Sequence, residues 1–132
     1  MTNEIVIAPE LAPPVGYAHA VVSAPGGRIV HLGGQTALGP DGAIRGTTLV
    51  EQFDVAAGNV IAALRAAGGE PDQIVQMLVF VTDVAEYKAS LRELGEVWKR
   101  RFGRRYPAMG LFGVTALFDE RARVELVATA VI

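Results

Sequence analysis

A single carboxylate stands inside an apolar segment near the end of the chain. Glu125 is flanked by Val124 and Leu126, in a stretch whose pattern is typical of a β-strand. A buried carboxylate has a raised pKa or a partner, and either state suits a group that positions or activates a water molecule. The same pattern also fits an outward-facing glutamate that pairs with Arg121 or Arg123. Glu125 is therefore the first candidate for a catalytic residue.

A phenol and an imidazole stand close together near the start of the chain. Tyr17 follows Gly16 at the beginning of an expected strand and could offer its hydroxyl to a ligand, although tyrosines at strand ends also commonly pack. His19 lies two residues further on, so it shares a strand face with Tyr17. Imidazole can transfer protons near neutral pH, but a structural hydrogen bond is the alternative reading of His19, and more so of His31.

Composition narrows the classes of function. The chain has no cysteine, and its two histidines stand in no cluster with metal-ligand spacing, so we predict neither a metal nor a cofactor. The formal charge is −2, and the basic residues form one small cluster in residues 99–105, which suits a solvated helix end better than a nucleic-acid surface. No apolar run reaches the roughly 20 residues of a membrane span, and the first residues lack a basic leader, so we expect a cytoplasmic protein.

Turn and cap signals place the first elements. Residues 17–23 and 28–32 predict two strands, and the Pro-Gly turn between them predicts a β-hairpin. A second turn is expected at residues 39–42. Thr48 and Glu51 have the spacing of a capping box, and the apolar stripe behind them predicts a helix that ends at Gly68 and Gly69. The stripe consists of Phe53, Ala57, Val60 and Leu64.

The second half of the chain alternates a buried strand, a helix and two closing strands. Residues 74–82 are almost continuously apolar, as in a strand covered on both faces. Asp83 and Glu86 predict a second capping box, followed by a helical stripe of Tyr87, Leu91, Leu94 and Trp98. Residues 108–115 and 123–131 predict the last two strands, joined through residues 118–121.

These elements predict one α+β domain over residues 1–132, in the order ββαβαββ. Two helices on one face of a mixed sheet make a sandwich whose other face has no cover within the chain. Hydrophobic residues make up 51% of the sequence and charged residues only 20%. We therefore expect an oligomer in which the sheet faces pack together.

Nearly the whole chain resembles the RidA/YjgF family of trimeric enamine/imine deaminases. Four stretches carry the resemblance: residues 13–17, 33–35, 74–83 and 124–128. The resemblance implies a chorismate-mutase-like fold and a homotrimer with three small-molecule pockets at its subunit interfaces. It also implies that Glu125 holds the hydrolytic water and that Tyr17 lies in the pocket. Gly33 and Gly34 fall on a turn whose backbone approaches the ligand, although the family often has a serine at Gly33, and Gln35 is expected to hydrogen-bond its own loop.

The chain departs from this pattern at three further positions. Met109 stands where the family's active deaminases carry the arginine that grips the carboxylate of a 2-imino acid through paired hydrogen bonds. Methionine has no donor, so a carboxylate at that place would lose its hydration without compensation. Leu91 and Leu111 replace an asparagine and a cysteine. Met109 and Leu111 are predicted either to contact the ligand or to belong to the core.

Three functions remain in view at this point. The first is a RidA-like hydrolase of an enamine, imine or related activated molecule that lacks the usual carboxylate. The second is a non-catalytic trimer that binds a small apolar metabolite. The third, the endoribonuclease activity historically attached to the family, fits poorly with an acidic chain that has no basic face.

Overall fold

The structure is a computed structural model that describes residues 2–132. Six strands and three α-helices occur within those residues, in the order βββαβααββ. The strands are β1 (Glu4–Val6), β2 (Ala20–Val22), β3 (Ile29–His31), β4 (Ile74–Val81), β5 (Ala108–Gly113) and β6 (Val124–Val131). The helices are α1 (Leu49–Ala66), α2 (Val84–Ala89) and α3 (Leu91–Phe102), and a 3-10 turn at Pro71–Gln73 precedes β4. The predicted α+β class is confirmed.

The main sheet is mixed and has the strand order β3-β6-β4-β5. β6 runs antiparallel to both β3 and β4, whereas β4 and β5 run parallel because α2 and α3 connect them. Alternate residues of the two central strands are buried toward the helices, as expected from the two-residue period of a strand. They are Met77, Val79 and Val81 of β4 and Val124, Leu126 and Ala128 of β6.

The predicted hairpin of residues 17–32 is wrong. β2 pairs with β1 in a separate two-stranded ribbon, and β3 pairs with β6 instead. Arg28 exchanges two backbone hydrogen bonds with Ile132, at 2.8 and 2.9 Å, so the chain leaves the turn toward β6. The buried side chain of Asn3 stabilises this arrangement, since it accepts from the Ala24 N–H at 2.8 Å and donates to the Val131 carbonyl at 3.2 Å.

Helix α1 begins as the sequence predicts. The Thr48 hydroxyl accepts from the Glu51 N–H at 3.1 Å, and the Glu51 carboxylate accepts from the Thr48 N–H at 3.0 Å. The predicted apolar stripe of the helix is buried against the sheet. Gly68 has a φ of +90°, a conformation that stops the helix and that glycine adopts without strain.

The second predicted helix is two helices, which meet at Ser90. Asp83 caps α2 by accepting from the Glu86 N–H at 3.0 Å. Glu86 does not complete the predicted capping box, because its carboxylate pairs with Arg123 at 3.2 Å. The break places Leu91 at the first position of α3, where it is 58% exposed.

The sheet face away from the helices carries large apolar side chains in contact with solvent. The rings of Phe80 and Phe112 stack on this face with their centroids 5.4 Å apart, and Phe112 is 46% exposed. We refer to this surface as the open face. Homotrimer formation through it stays a prediction. Within residues 2–132, no helix combines the length and the apolar character needed to cross a bilayer.

Candidate functional site

A cavity of about 450 Å³ lies between α3 and the edge strand β5. Four predicted site residues line it: Tyr17, Leu91, Met109 and Leu111. We call it the Met109 cavity. Its inner wall is aromatic and includes Phe53, Tyr87, Trp98 and Tyr106.

Strand register explains why Met109 and Leu111 enter this cavity. Met109 pairs with Met77 and Leu111 with Val79, so both lie on the helix-facing side of β5. Tyr17 arrives from the other direction, because the Ala18 N–H donates to the Pro107 carbonyl at 2.9 Å and holds this segment against the start of β5. Met109 packs against the core and also lines the cavity, so contact with a ligand stays a prediction.

Among residues 2–132, no charged side chain lines the Met109 cavity. Burial, with a smaller contribution from the neighbouring Tyr106, raises the pKa of Tyr87 above its usual value, so this phenol stays neutral at physiological pH. Arg104 and Arg105 do not line the cavity, and the Arg105 guanidinium donates to the Asn3 carbonyl instead. No described arginine therefore takes the place of the one that the resemblance implies at Met109.

Glu125 lies on the open face, not in the Met109 cavity. It pairs in register with Phe80 of β4, and its carboxylate lies directly against the backbone of Gly34. A methyl group at Gly34 would overlap the Glu125 carboxylate, so this close approach depends on the glycine. A methyl group at Gly33 would meet open space.

The alternative reading of Glu125, as half of an ion pair, is not what the structure shows. Arg121 pairs with Asp119 at 2.9 Å, and Arg123 pairs with Glu86 at 3.2 Å. Within residues 2–132, no side chain or backbone N–H donates to the half-buried Glu125 carboxylate. The carboxylate therefore has no hydrogen-bond partner within the described residues and lies against the Gly34 backbone, where it can accept from a water molecule or from another copy of the chain.

The turn that follows β3 is hydrogen-bonded to β6. Gln35 exchanges two backbone hydrogen bonds with Leu126, both 2.8 Å long, and this pairing brings Gly34 against Glu125. The Gln35 side chain donates to the Gly33 carbonyl at 3.4 Å, in line with its expected role within its own loop.

His19 is engaged by backbone on both sides of its ring. Nδ1 accepts from the Ala8 N–H at 2.9 Å, which leaves the proton on Nε2 to be donated to the Ala12 carbonyl at 3.0 Å. Its ring contacts Tyr17 edge-on at 5.8 Å, so the two residues lie side by side, but both precede β2 and do not share a strand face as predicted. His19 does not line the Met109 cavity but a second, shallow cavity beside the open face, which shares Tyr17, Met109 and Gly110 with it. His31 lies exposed in β3. The two hydrogen bonds of the His19 ring match the alternative that this histidine is structural.

The endoribonuclease L-PSP family model matches residues 8–132 of the chain. The chain belongs to the endoribonuclease L-PSP family. Rid and YjgF proteins are among its solved structural relatives, so the resemblance noted from the sequence is confirmed.

Three solved structures have folds similar to that of this L-PSP family chain. YyfB from Yersinia pestis, a Rid-family protein of unknown function, is 27% identical over 100% of both chains, with a TM-score of 0.87. A YjgF/YER057c/UK114 family member from Mycobacterium tuberculosis is 27% identical over 99% of this chain and 100% of that one, with a TM-score of 0.65. RidA from an Antarctic Psychrobacter is 25% identical over 90% of this chain and 93% of that one, with a TM-score of 0.70. No curated protein matches the chain.

Sequence reasoning did not identify most of the other residues that line the cavity in this family member, among them Tyr87, Gly95, Trp98 and Tyr106. Tyr87 and Trp98 were read only as parts of a helical stripe that packs on the sheet, and Gly95 and Tyr106 were not singled out. One signal was present, since Gly95 follows Leu91 by four residues and so shares its helix face, where glycine leaves a gap. Among the described residues, no group of three His, Asp or Glu side chains could hold a metal ion.

Proposed function

We propose that this L-PSP family protein is a RidA-like hydrolase of the cytoplasm. Its substrate is an enamine, an imine or a similarly activated small molecule without the usual carboxylate. It acts as a homotrimer in which Glu125 of one copy faces the Met109 cavity of the next. The observation that carries the proposal is the division of the candidate residues, with an unpaired carboxylate on one face of the sheet and an uncharged cavity on the other.

The distribution of the candidate residues over two faces of the sheet favours a site built from two copies of the chain. Tyr17, Leu91, Met109 and Leu111 meet in one cavity, whereas Glu125 and Gly34 meet on the open face. The open face is apolar around Phe80 and Phe112, so packing it against another copy removes that surface from water. The same packing brings a partner's cavity edge toward Glu125.

The reaction follows from one carboxylate and one water molecule. Glu125 accepts a proton from the water while the water oxygen forms a bond to the imine carbon, and the nitrogen, which gains the electron pair of the C=N π bond, takes that proton from Glu125. As the C–N bond of the resulting carbinolamine breaks, Glu125 takes the hydroxyl proton and passes it to the nitrogen, which restores the carboxylate. Ammonia leaves, and a ketone or aldehyde remains. An enamine enters the same path after protonation at carbon.

The lining of the cavity selects against a carboxylate on the substrate. Met109 offers no hydrogen-bond donor, and neither Arg104 nor Arg105 reaches the cavity. A carboxylate placed there would be desolvated without a cationic partner, which weakens binding. A neutral imine of similar size avoids this cost.

Imines generated in situ test the proposal. A neutral imine is produced by an amine oxidase and a 2-imino acid by an amino-acid oxidase, and release of ammonia is followed with and without the protein. We expect turnover of the neutral imine that Glu125→Gln reduces by about 100-fold or more, because general base catalysis contributes on that order. Met109→Arg should shift the preference toward the 2-imino acid. Robust turnover of 2-imino acids that Glu125→Ala abolishes and Met109→Arg leaves unchanged contradicts the altered substrate.

A second candidate is a non-catalytic trimer that binds a small apolar metabolite. The uncharged, aromatic wall of the Met109 cavity favours it, since such a wall binds apolar molecules without any need for Glu125. Native mass spectrometry of the purified protein separates the two candidates. A bound ligand that is released chemically unchanged after long incubation, and whose binding survives Glu125→Gln, supports the binding protein.

RNA cleavage is not proposed, despite the name of the family. The chain carries a net charge of −2, and the basic side chains of residues 99–105 include two that are paired with Asp54 at the surface of α1. Salt-sensitive binding to single-stranded RNA would contradict this expectation.

A further inference from the structure

Gly95 stands in the middle of α3, where glycine lowers helix stability relative to alanine. A Cβ atom at this position would have no heavy atom within 4 Å, and Gly95 lines the Met109 cavity. The glycine therefore serves no close backbone contact. It leaves a space open in the wall of the cavity at the expense of helix stability.

The walls around this space are flat and apolar. Trp98 and Tyr106 stack with centroids 5.0 Å apart and an interplanar angle of 13°, which makes a rigid aromatic wall. Leu91, four residues before Gly95 on α3, lines the same cavity and is exposed. An aromatic ring suits such walls better than a flexible chain, because aromatic pairs gain stabilisation beyond the area they bury.

Tyr87 supplies a polar group to the cavity. Its hydroxyl makes no hydrogen bond to another residue in the described part of the chain, and no fully buried side-chain N or O atom there lacks a partner. The hydroxyl is therefore not completely buried, and a neutral phenol can donate to a ligand. With no cation in the lining, a neutral acceptor suits this donor better than a carboxylate.

We infer that the Met109 cavity takes an uncharged molecule that has a planar apolar ring and one hydrogen-bond acceptor, with Gly95 leaving the space for the ring and Tyr87 donating to the acceptor. The inference rests on the proposed function only in treating this cavity as the substrate site. It defines the class of substrate, and Gly95 and Tyr87 as the residues that determine specificity.

Benzamide and benzoate form a suitable pair of probes, because they have nearly the same shape and differ in charge. Binding of each to the full chain is measured by calorimetry or ligand-observed NMR. We expect benzamide to bind at least about tenfold more tightly than benzoate, because the cavity lining offers no cation to a buried carboxylate. Met109→Arg should reverse this preference through a paired contact with benzoate.

Two substitutions locate the ring and the acceptor. Gly95→Leu should abolish benzamide binding while the melting temperature stays the same or rises, because leucine is the better helix former. Arg92→Leu, on an exposed position of the same helix, is the matched control and should leave binding unchanged. Tyr87→Phe should weaken benzamide binding about fivefold to tenfold, the size of one lost hydrogen bond, without weakening binding of ethylbenzene, which has no acceptor.

Absence of benzamide binding at millimolar concentration overturns the inference, as does benzoate binding as tight as that of benzamide. Unchanged benzamide binding in Gly95→Leu also overturns it. The proposed function fails separately: if benzamide binds and responds to the variants as expected while no neutral imine is turned over, the inference stands and hydrolysis is wrong. If a neutral imine is turned over with dependence on Glu125 but Gly95→Leu does not affect binding, hydrolysis stands and the inference is wrong.

Discussion

Glu125 and Met109 lie on opposite faces of one sheet. Glu125 pairs with Phe80 of β4 and Met109 pairs with Met77, three positions earlier, so the two-residue period of the strands directs them to opposite sides. A ligand in the Met109 cavity therefore reaches no Glu125 of its own chain through the sheet. The proposed site therefore needs two copies of the chain. One contributes Glu125 on its open face, and the other contributes its Met109 cavity.

Gly34 and Gly33 offer a matched pair of substitutions on the open face. Gly34→Ala places a methyl group on the Glu125 carboxylate, and because that group is the end of a flexible side chain, we expect it to move and the fold to persist. A shift of about 1 Å in a catalytic group can lower turnover on the order of 100-fold. The methyl group of Gly33→Ala meets no heavy atom of its own chain within 4 Å, so we expect a much smaller loss of turnover. Turnover on neutral imines is the measurement, and equal effects of the two substitutions would contradict the role of the Gly34 contact.

Gln52 is expected to be the most sensitive polar position of the core. It is 2% exposed, donates to the carbonyls of Gly46 and Arg121 at 3.2 and 3.0 Å, and accepts from the Arg123 N–H at 2.8 Å. Gln52→Leu leaves these backbone groups without partners, so we predict a loss of about 2–4 kcal/mol in the free energy of unfolding.

Urea denaturation measures this loss. Gln73→Leu is the control, since its side chain makes one exposed hydrogen bond, to the Glu70 N–H at 2.9 Å, and we expect a loss below about 1 kcal/mol. Equal losses in the two variants would mean that Gln52 does not connect α1 to the chain before β6.

Glu51 should make stability depend on acid pH. Backbone and side-chain hydrogen bonds from Thr48 and Thr47 lower the pKa of Glu51 from 4.5 to about 2. Because the folded pKa is the lower one, the stabilisation is present above pH 4.5 and is lost as the pH falls toward 2. Glu51→Gln removes this dependence.

The urea midpoint measured from pH 7 to pH 2 checks the prediction. The midpoint of Glu51→Gln should lie below that of the unmodified chain at pH 7 and approach it at pH 2. Glu93→Gln, at an exposed position in the first turn of α3, is the control and should follow the unmodified chain. A constant gap between Glu51→Gln and the unmodified chain over the whole range would show that the carboxylate charge is not the cause.

Elements held by contacts between residues close in sequence could be predicted, whereas elements held by contacts between distant residues could not. The start of α1 was predicted correctly because Thr48 and Glu51 satisfy each other's backbone within four residues. The hairpin was predicted wrongly because strands of three residues have little preference of their own, and β3 found its partner in β6, about 100 residues away in sequence. The break at Ser90 was missed because the apolar stripe continues across it.

For the candidate site as well, the residues could be predicted from local sequence, but their arrangement in space could not. The sequence pointed to Glu125, Gly34 and Met109, but their distribution over two faces depends on the registers of β4 with β5 and with β6. Tyr87 and Gly95 were not predicted as lining residues because a helical stripe shows which side is buried and not whether a space remains beneath it.

Crosslinking between chains tests the two-copy site most directly. The sequence has no cysteine, so Gly33→Cys and Leu111→Cys each place a single thiol, one beside Gly34 and the other in the Met109 cavity. The two variants are mixed, unfolded and refolded together, and treated with a short bis-maleimide. Because each chain carries one thiol, any product joins two chains, and the variants alone are the controls. We predict a crosslinked dimer that forms far more efficiently in the mixture than in either control, together with a trimeric mass in solution. A monomeric mass, or no gain in crosslinking in the mixture, would contradict a site shared between copies.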